Sequence, residues 1–125
     1  MTKLYKIEDF LLDANQRQFF YQNQTVTLSS RAFDILLYLV ERNGEVIEKD
    51  ALLEAVWADS FVEESNLAVH ISALRRVLQE KKGEARFIRT ISGRGYSFVA
   101  PVEKVDSVQN FKEQFKTRKN SLPEE

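Results

Sequence analysis

The chain has 125 residues, of which 18 are Lys or Arg, 19 are Asp or Glu and one is His, so its formal net charge at pH 7 is -1. That near-neutral total argues against a polyanion binder. The absence of cysteine excludes a disulfide scaffold and a thiolate zinc site and suits a reducing cytoplasm. No apolar run approaches the roughly 20 residues of a membrane span. The length allows one domain with a tail.

The residues before Ser29 form short apolar runs separated by polar turns. Aromatic and branched residues bounded by Asp, Asn and Gln are typical of antiparallel strands. The sequence therefore predicts a small antiparallel sheet made of four strands, Leu4 to Ile7, Phe10 to Leu12, Gln18 to Tyr21 and Thr25 to Leu28.

Two amphipathic helices are predicted next. The first has Ser29 and Ser30 as N-cap candidates and stops at Asn43-Gly44. Its apolar face comprises Phe33, Leu36, Leu37 and Val40. The second helix runs from about residue 49 to 58, and its start is weakly capped because Glu48 is not a favoured N-cap residue.

A third helix and a hairpin complete the predicted elements. The helix spans about residues 63–80, with an apolar face formed by Leu67, Ile71, Leu74 and Leu78. Two strand-like runs, 87–92 and 96–100, flank Gly93-Arg94-Gly95, which indicates a hairpin. Pro101 closes the last strand, so we place the domain boundary there.

The opposite face of the third helix carries mainly small residues. A helix that only faces water usually carries Glu, Lys and Gln there, whereas small side chains allow close approach to a partner. In the major groove of DNA, methyl groups can contact thymine, and Asn or Ser can bond to base edges. A protein partner is an equally good alternative from this face alone. The residues are Ser65, Asn66, Ala68, Val69, Ser72, Ala73 and Arg76.

Charge is unevenly distributed along the chain. Residues 1–64 hold 6 basic and 12 acidic side chains, residues 65–100 hold 7 and 2, and residues 101–125 hold 5 of each. A phosphate backbone would therefore be attracted to the third helix and hairpin and repelled by the rest. Arg94 at the hairpin tip fits a contact in the minor groove, although an ordinary surface arginine in a turn is the simpler alternative.

Four segments resemble the winged-helix DNA-binding domain of the OmpR/PhoB type, the output domain of bacterial transcriptional regulators. They are Leu28 to Leu37, Leu52 to Trp57, Val69 to Leu78 and Ile88 to Phe98, within a match over about Tyr5 to Ala100. The resemblance implies an α+β fold, a winged helix-turn-helix with an N-terminal four-stranded antiparallel sheet, a three-helix core and a C-terminal β-hairpin wing. It also implies double-stranded DNA as the partner, with the third helix in the major groove and the wing in the minor groove.

Carried over by position, the resemblance assigns three sets of DNA-contacting residues. The recognition helix contributes Asn66, Ala68, Val69, Ser72, Ala73 and Arg76, phosphate contacts come from Trp57, His70, Arg75 and Tyr96, and the wing contributes Thr90, Ser92 and Arg94. Several relatives have Arg where this chain has Ser72 and Ala73. We therefore expect readout through thymine contact, Asn66 and DNA shape rather than through an arginine at those two positions.

The resemblance also bears on the rest of the chain. We expect residues 1–100 to form the DNA-binding domain and residues 101–125 a linker or tail, with a short helix from Ser107 as one alternative. A domain that begins almost at Met1 resembles ToxR/CadC-like regulators, in which a membrane span follows, and a stand-alone domain is the other option. Residues 58–62 match a loop that some relatives direct toward RNA polymerase, and relatives suggest a tandem homodimer on DNA.

Neither an enzyme nor a cofactor is expected. With a single His and no Cys, the chain cannot assemble a convincing metal site or a nucleophile and base pair. It also lacks a Gly-rich phosphate loop. The sequence thus predicts sequence-specific DNA binding for transcription regulation, and the alternative is a protein-interaction module that docks on RNA polymerase or another protein.

Overall fold

The computed structural model describes residues 3–58, 64–81 and 84–105. Its elements confirm the predicted α+β class, and their contacts divide the chain into two compact units, residues 1–27 with 102–125 and residues 28–101. No helix in the described ranges is long and apolar enough to cross a membrane. The elements are β1 (Leu4–Ile7), β2 (Phe10–Asp13), β3 (Gln18–Tyr21), β4 (Gln24–Val26), α1 (Ser30–Glu41), β5 (Ile47–Glu48), α2 (Lys49–Val56), α3 (Glu64–Val77), β6 (Ile88–Ile91), β7 (Gly95–Phe98) and β8 (Glu103–Val105).

The first unit is an antiparallel sheet with the strand order β4-β3-β2-β1-β8. The four predicted strands are present, and residues 103–105, which the sequence places in the linker or tail, add a fifth by pairing with β1. This fifth strand is held by main-chain hydrogen bonds to the start of the chain, a relation that leaves no local pattern in the sequence. The short helix proposed from Ser107 lies outside the described residues.

The second unit contains three helices, of which α1 packs against both α2 and α3. The side-chain oxygen of Ser29 accepts a hydrogen bond from the Ala32 N–H at 3.1 Å, which confirms the predicted N-cap of α1. Asn43, just beyond α1, donates from Nδ2 to the carbonyls of Phe98 and Ala100, both at 2.8 Å. The end of α1 is therefore tied to the end of β7.

The helix α3 ends at Val77, three residues before the end predicted from its sequence. Gln79 has a left-handed backbone with φ of 64°, and its N–H bonds to the Arg76 carbonyl while the Glu80 N–H bonds to the Arg75 carbonyl. This pair of bonds is a Schellman motif, which usually has glycine at its left-handed position. With Gln79 in that position the stop signal is invisible in the sequence, and the chain turns back toward the helix at Glu80.

A second, three-stranded sheet has the order β5-β7-β6 and contains the predicted hairpin, which we call the wing: β6, β7 and the turn between them. The short strand β5 was not predicted, because two residues are too few to show an alternating pattern. Glu48 of β5 lies opposite Gly95 of β7. A Cβ atom on Gly95 would lie 1.9 Å from the carbonyl oxygen of Ile47, so only glycine allows this approach of two backbones.

Replacing Gly95 with alanine should therefore lower the free energy of unfolding by about 3 kcal/mol, because neither backbone can yield without breaking the sheet. Gly93→Ala is the matched comparison: its φ is 75°, but a Cβ there meets no described atom within 4 Å. Its cost should be about 1 to 2 kcal/mol, from backbone strain alone. Urea unfolding of the two variants measures both losses. Equal losses would mean that the contact with Ile47 does not limit position 95.

Candidate nucleic-acid interface

The two faces of α3 differ as the sequence predicts. The apolar residues Leu67, Ile71, Leu74 and Leu78 are all buried, each with no more than 1% of its surface exposed. The opposite side, called here the groove face, consists of the exposed residues Asn66, Ala68, Val69, Ser72 and Arg76. Ala73, which was predicted with them, is half-buried at the edge of this face.

Val69 is the most exposed large apolar side chain of the described residues, and it lies on the groove face. Its side chain is 65% exposed in the middle of a helix, where a branched side chain adds little helix propensity. The neighbouring exposed residues Ala68 and Ser72 are also small. A surface of this kind leaves methyl groups in water until another surface comes into close contact with it.

A cationic cleft lies between the C-terminal half of α3 and strand β6. Among the described residues, four basic side chains line it together with one carboxylate, that of Glu80. Of the four, Lys81 and Arg89 were not among the predicted contact residues, because a strand-borne arginine and a lysine after a helix look like ordinary solvated charges in the sequence. The lining residues are Ser72, Arg75, Arg76, Glu80, Lys81, Ala85, Ile88, Arg89 and Thr90.

Arg75 connects α3 to the wing. Its guanidinium donates from Nε and Nη2 to the carbonyl of Ile88, at 3.2 and 2.8 Å, and Nη2 also donates to Oγ1 of Thr90 at 2.8 Å. Two of its three nitrogens are therefore occupied inside the protein. Arg75, which the sequence predicts as a phosphate contact, therefore positions a helix against a strand.

Glu80 completes this connection, and its importance was missed in the sequence. The carboxylate is 1% exposed and accepts hydrogen bonds from the backbone N–H groups of Arg86, Phe87 and Ile88, the last two at 3.1 Å. It also lies 3.9 Å from Nε of Arg75. A buried carboxylate is stable only with such a set of donors, so Glu80 fixes the path of the chain into β6.

Arg94 extends from the turn of the wing, as predicted, and it is 57% exposed. Its Nε and Nη2 atoms lie 3.4 and 3.1 Å from Oε2 of Glu48, a contact that the sequence did not indicate. Thr90 and Ser92, the other predicted wing residues, are exposed as well.

The remaining predicted phosphate contacts, Trp57, His70 and Tyr96, are not among the described residues that line the cleft, although Tyr96 lies opposite Thr90 in the wing. Trp57 and Tyr96 are each 8% exposed, so both aromatic side chains belong mainly to the core. The ring of half-buried His70 lies 5.7 Å from that of Trp57, and the Arg31 guanidinium lies 5.3 Å from the same indole. No group of three or more metal-ligating side chains occurs in the described part of the chain.

A three-helix unit with an exposed third helix, a cationic cleft and a hairpin wing defines a winged-helix DNA-binding domain. The chain belongs to the OmpR/PhoB type of this class: the family model described as "Transcriptional regulatory protein, C terminal" matches residues 23–98. This is a family of DNA-binding domains of transcriptional regulators and not a family of enzymes.

Individual relatives agree with this assignment. The transcriptional regulator HilA of Salmonella typhimurium is 37% identical over 101 residues, which cover 81% of this chain and 18% of HilA. The DNA-binding domain of Escherichia coli CadC superposes with a TM-score of 0.72 at 27% identity, over 82% of this chain and 97% of that one. The Klebsiella pneumoniae RstA DNA-binding domain, solved in complex with the RstA box, has a TM-score of 0.69 at 28% identity, over 77% and 96%. The chain therefore spans less than a fifth of the length of HilA.

Removing the Glu80 carboxylate should destabilise the second unit. Glu80→Ala leaves three backbone N–H groups, two of them part-buried, without their acceptor and removes the carboxylate beside Arg75, so we expect the free energy of unfolding to fall by about 3 kcal/mol. Glu54→Ala, an exposed carboxylate on α2, is the matched control and should change it by less than about 0.5 kcal/mol. Urea denaturation followed by circular dichroism gives both values. A loss at Glu80 as small as that at Glu54 would contradict its assigned role.

Proposed function

We propose that this domain binds double-stranded DNA sequence-specifically through the groove face of α3, the cationic cleft and the wing, as the output domain of a bacterial transcriptional regulator. The observation that carries the proposal is that one compact unit places an exposed small-residue helix face beside a cleft with four cations. Membership of the OmpR/PhoB-type family supports it. The net charge of residues 65–100, with 7 basic and 2 acidic side chains, orients DNA toward this side.

The groove face would read bases in the major groove. An α-helix fits that groove, and small side chains bring its backbone close to the base edges. The Asn66 amide and the Ser72 hydroxyl can form hydrogen bonds with bases, while the methyl groups of Ala68, Val69 and Ala73 suit the C5-methyl of thymine. Arg76 at the end of the face can reach a base or a phosphate.

The cleft would hold the sugar-phosphate backbone. Arg76, Lys81 and Arg89 are exposed there, and a phosphate beside them needs no deep pocket. Arg75 would act mainly by positioning β6, with its remaining nitrogen available for a phosphate. Since Trp57 and Tyr96 are nearly buried, contacts from them would come from the indole N–H and the phenol O–H. His70 would contribute from beside Trp57.

The wing would contact the minor groove with Arg94, flanked by Thr90 and Ser92. Minor grooves of A·T-rich DNA concentrate negative potential, which favours insertion of an arginine. Because DNA is the partner, the proposal places the domain in the cytoplasm. Contact with RNA polymerase rests on residues 58–62, of which only Ala58 is described, so it stays a prediction, as does a tandem homodimer.

Arg89→Ala should weaken binding to all duplexes by a similar factor and reduce the magnitude of the log-log salt slope by about 0.9, because one phosphate contact is lost. The duplex is first selected from a random pool. Its affinity for each variant is then measured by fluorescence anisotropy at salt concentrations from about 50 to about 300 mM, over which the slope is determined. Arg42→Ala is the control, since Arg42 lies just after α1 and stacks on Tyr38. An equal loss of slope in both variants would argue against the cleft as the phosphate site.

Asn66→Ala and Ser72→Ala should instead change base preference. Each variant should lose about 1 to 3 kcal/mol of discrimination at one base pair and leave the other positions of the selected site unaffected. Competition with a panel of single-base variants of that site measures the change. Ser30→Ala on α1 is the matched loss of a hydroxyl and should leave the panel unchanged. Uniform loss of affinity across the panel would mean that neither residue reads bases.

A further inference from the structure

We propose that Glu48 is an internal counter-ion that lowers DNA affinity by holding the side chain of Arg94. The inference rests on the proposed function and adds to it a residue outside the DNA-contacting sets. In the free protein, both donor atoms of Arg94 that point toward Glu48 reach the same carboxylate oxygen, at 3.4 and 3.1 Å. A DNA phosphate or groove that takes up Arg94 must replace this carboxylate or sit beside it.

The position of Glu48 follows from the backbone and not from the ion pair. Glu48 lies opposite Gly95 in the β5 and β7 ladder, and the Lys49 N–H donates to the Arg94 carbonyl at 3.0 Å. The turn itself is closed by the Arg94 N–H, which donates to the Ile91 carbonyl at 2.9 Å. Because these main-chain bonds already fix the turn, the side-chain pair is not needed to shape the wing.

The energetics indicate that Glu48 competes with DNA for Arg94 and does not hold Arg94 ready for DNA. Both side chains are 57% exposed, and an ion pair this open to water contributes little to stability. It nevertheless neutralises the one cation at the tip of the wing and leaves a negative charge where a phosphate would arrive. Glu48 also precedes α2 as its N-cap without any cap hydrogen bond from its side chain in the described structure.

The test is a double-mutant cycle on the 125-residue chain with a labelled duplex selected from a random pool. Glu48→Gln should raise affinity about two- to fivefold near 100 mM salt, the range expected for breaking an exposed pair, and the gain should shrink as salt rises. Glu45→Gln makes the same charge change at another exposed position of that segment. Its gain should be smaller.

The Arg94→Ala background identifies the cause. There, the effect of Glu48→Gln should fall to that of Glu45→Gln, because the partner of Glu48 has gone. A gain that persists in this background, or one no larger than that of Glu45→Gln, would show a general charge effect and overturn the inference. A loss of affinity in Glu48→Gln would also overturn it, since the carboxylate would then present Arg94 to DNA.

The two proposals fail in different ways. If the wild-type chain yields no bound duplex from the pool, the proposed function itself falls. If it binds and Arg94→Ala binds equally well, the function stands and the role of Glu48 is overturned. Urea midpoints of Glu48→Gln and Glu45→Gln should match the wild type, so that affinity changes report on the interface.

Discussion

The buried carboxylate of Glu80 and its donors are the interaction on which the geometry of the DNA-binding side depends. Glu80 accepts hydrogen bonds from three backbone N–H groups at the entry to β6. Arg75 of α3 donates hydrogen bonds to the Ile88 carbonyl and to the Thr90 hydroxyl in the same strand. A recognition helix and a wing contact one duplex with higher affinity when their spacing is set before DNA arrives, because ordering them on binding costs free energy. The Schellman turn at Gln79 brings Glu80 back to this point. The cost of burying the charge is offset by its full set of partners.

Side-chain size and charge make different contributions in the proposed DNA-binding surface. The small residues of the groove face allow close approach, while cations in the cleft and at the wing supply an attraction that does not depend on sequence. The near-neutral whole-chain charge, which argued against a polyanion binder, averages an acidic N-terminal part with a basic C-terminal one. Acidic residues also lie next to the basic side, as Glu48 does beside Arg94, and under the proposal for Glu48 they oppose the attraction of DNA.

Most of the fold could be predicted from the sequence because its signals are local. Ser29 as N-cap, the buried side of α3 and the glycine-flanked wing turn each follow from short patterns. The features that were missed depend on partners that are distant in the sequence. Strand β8 pairs with β1, and the two-residue strand β5 pairs with β7. Glu80 lies in a charged stretch of the sequence, and its carboxylate is buried by hydrogen bonds from residues 86–88. Likewise, the resemblance implied a phosphate contact for Arg75, and only its neighbours in space reveal that it also braces β6. Contacts of the site with DNA stay predictions.

The most direct test of the account is a two-dimensional amide NMR titration of the 125-residue chain with the duplex selected from a random pool. The largest shift changes should fall on the exposed residues of α3 from Asn66 to Arg76, on Arg89 and on the turn from Ser92 to Arg94. Amides of β2 and β3 should change little. The amides of residues 86–88 should stay hydrogen-bonded to Glu80. Changes concentrated on the acidic α2, with α3 and the wing unaffected, would contradict it.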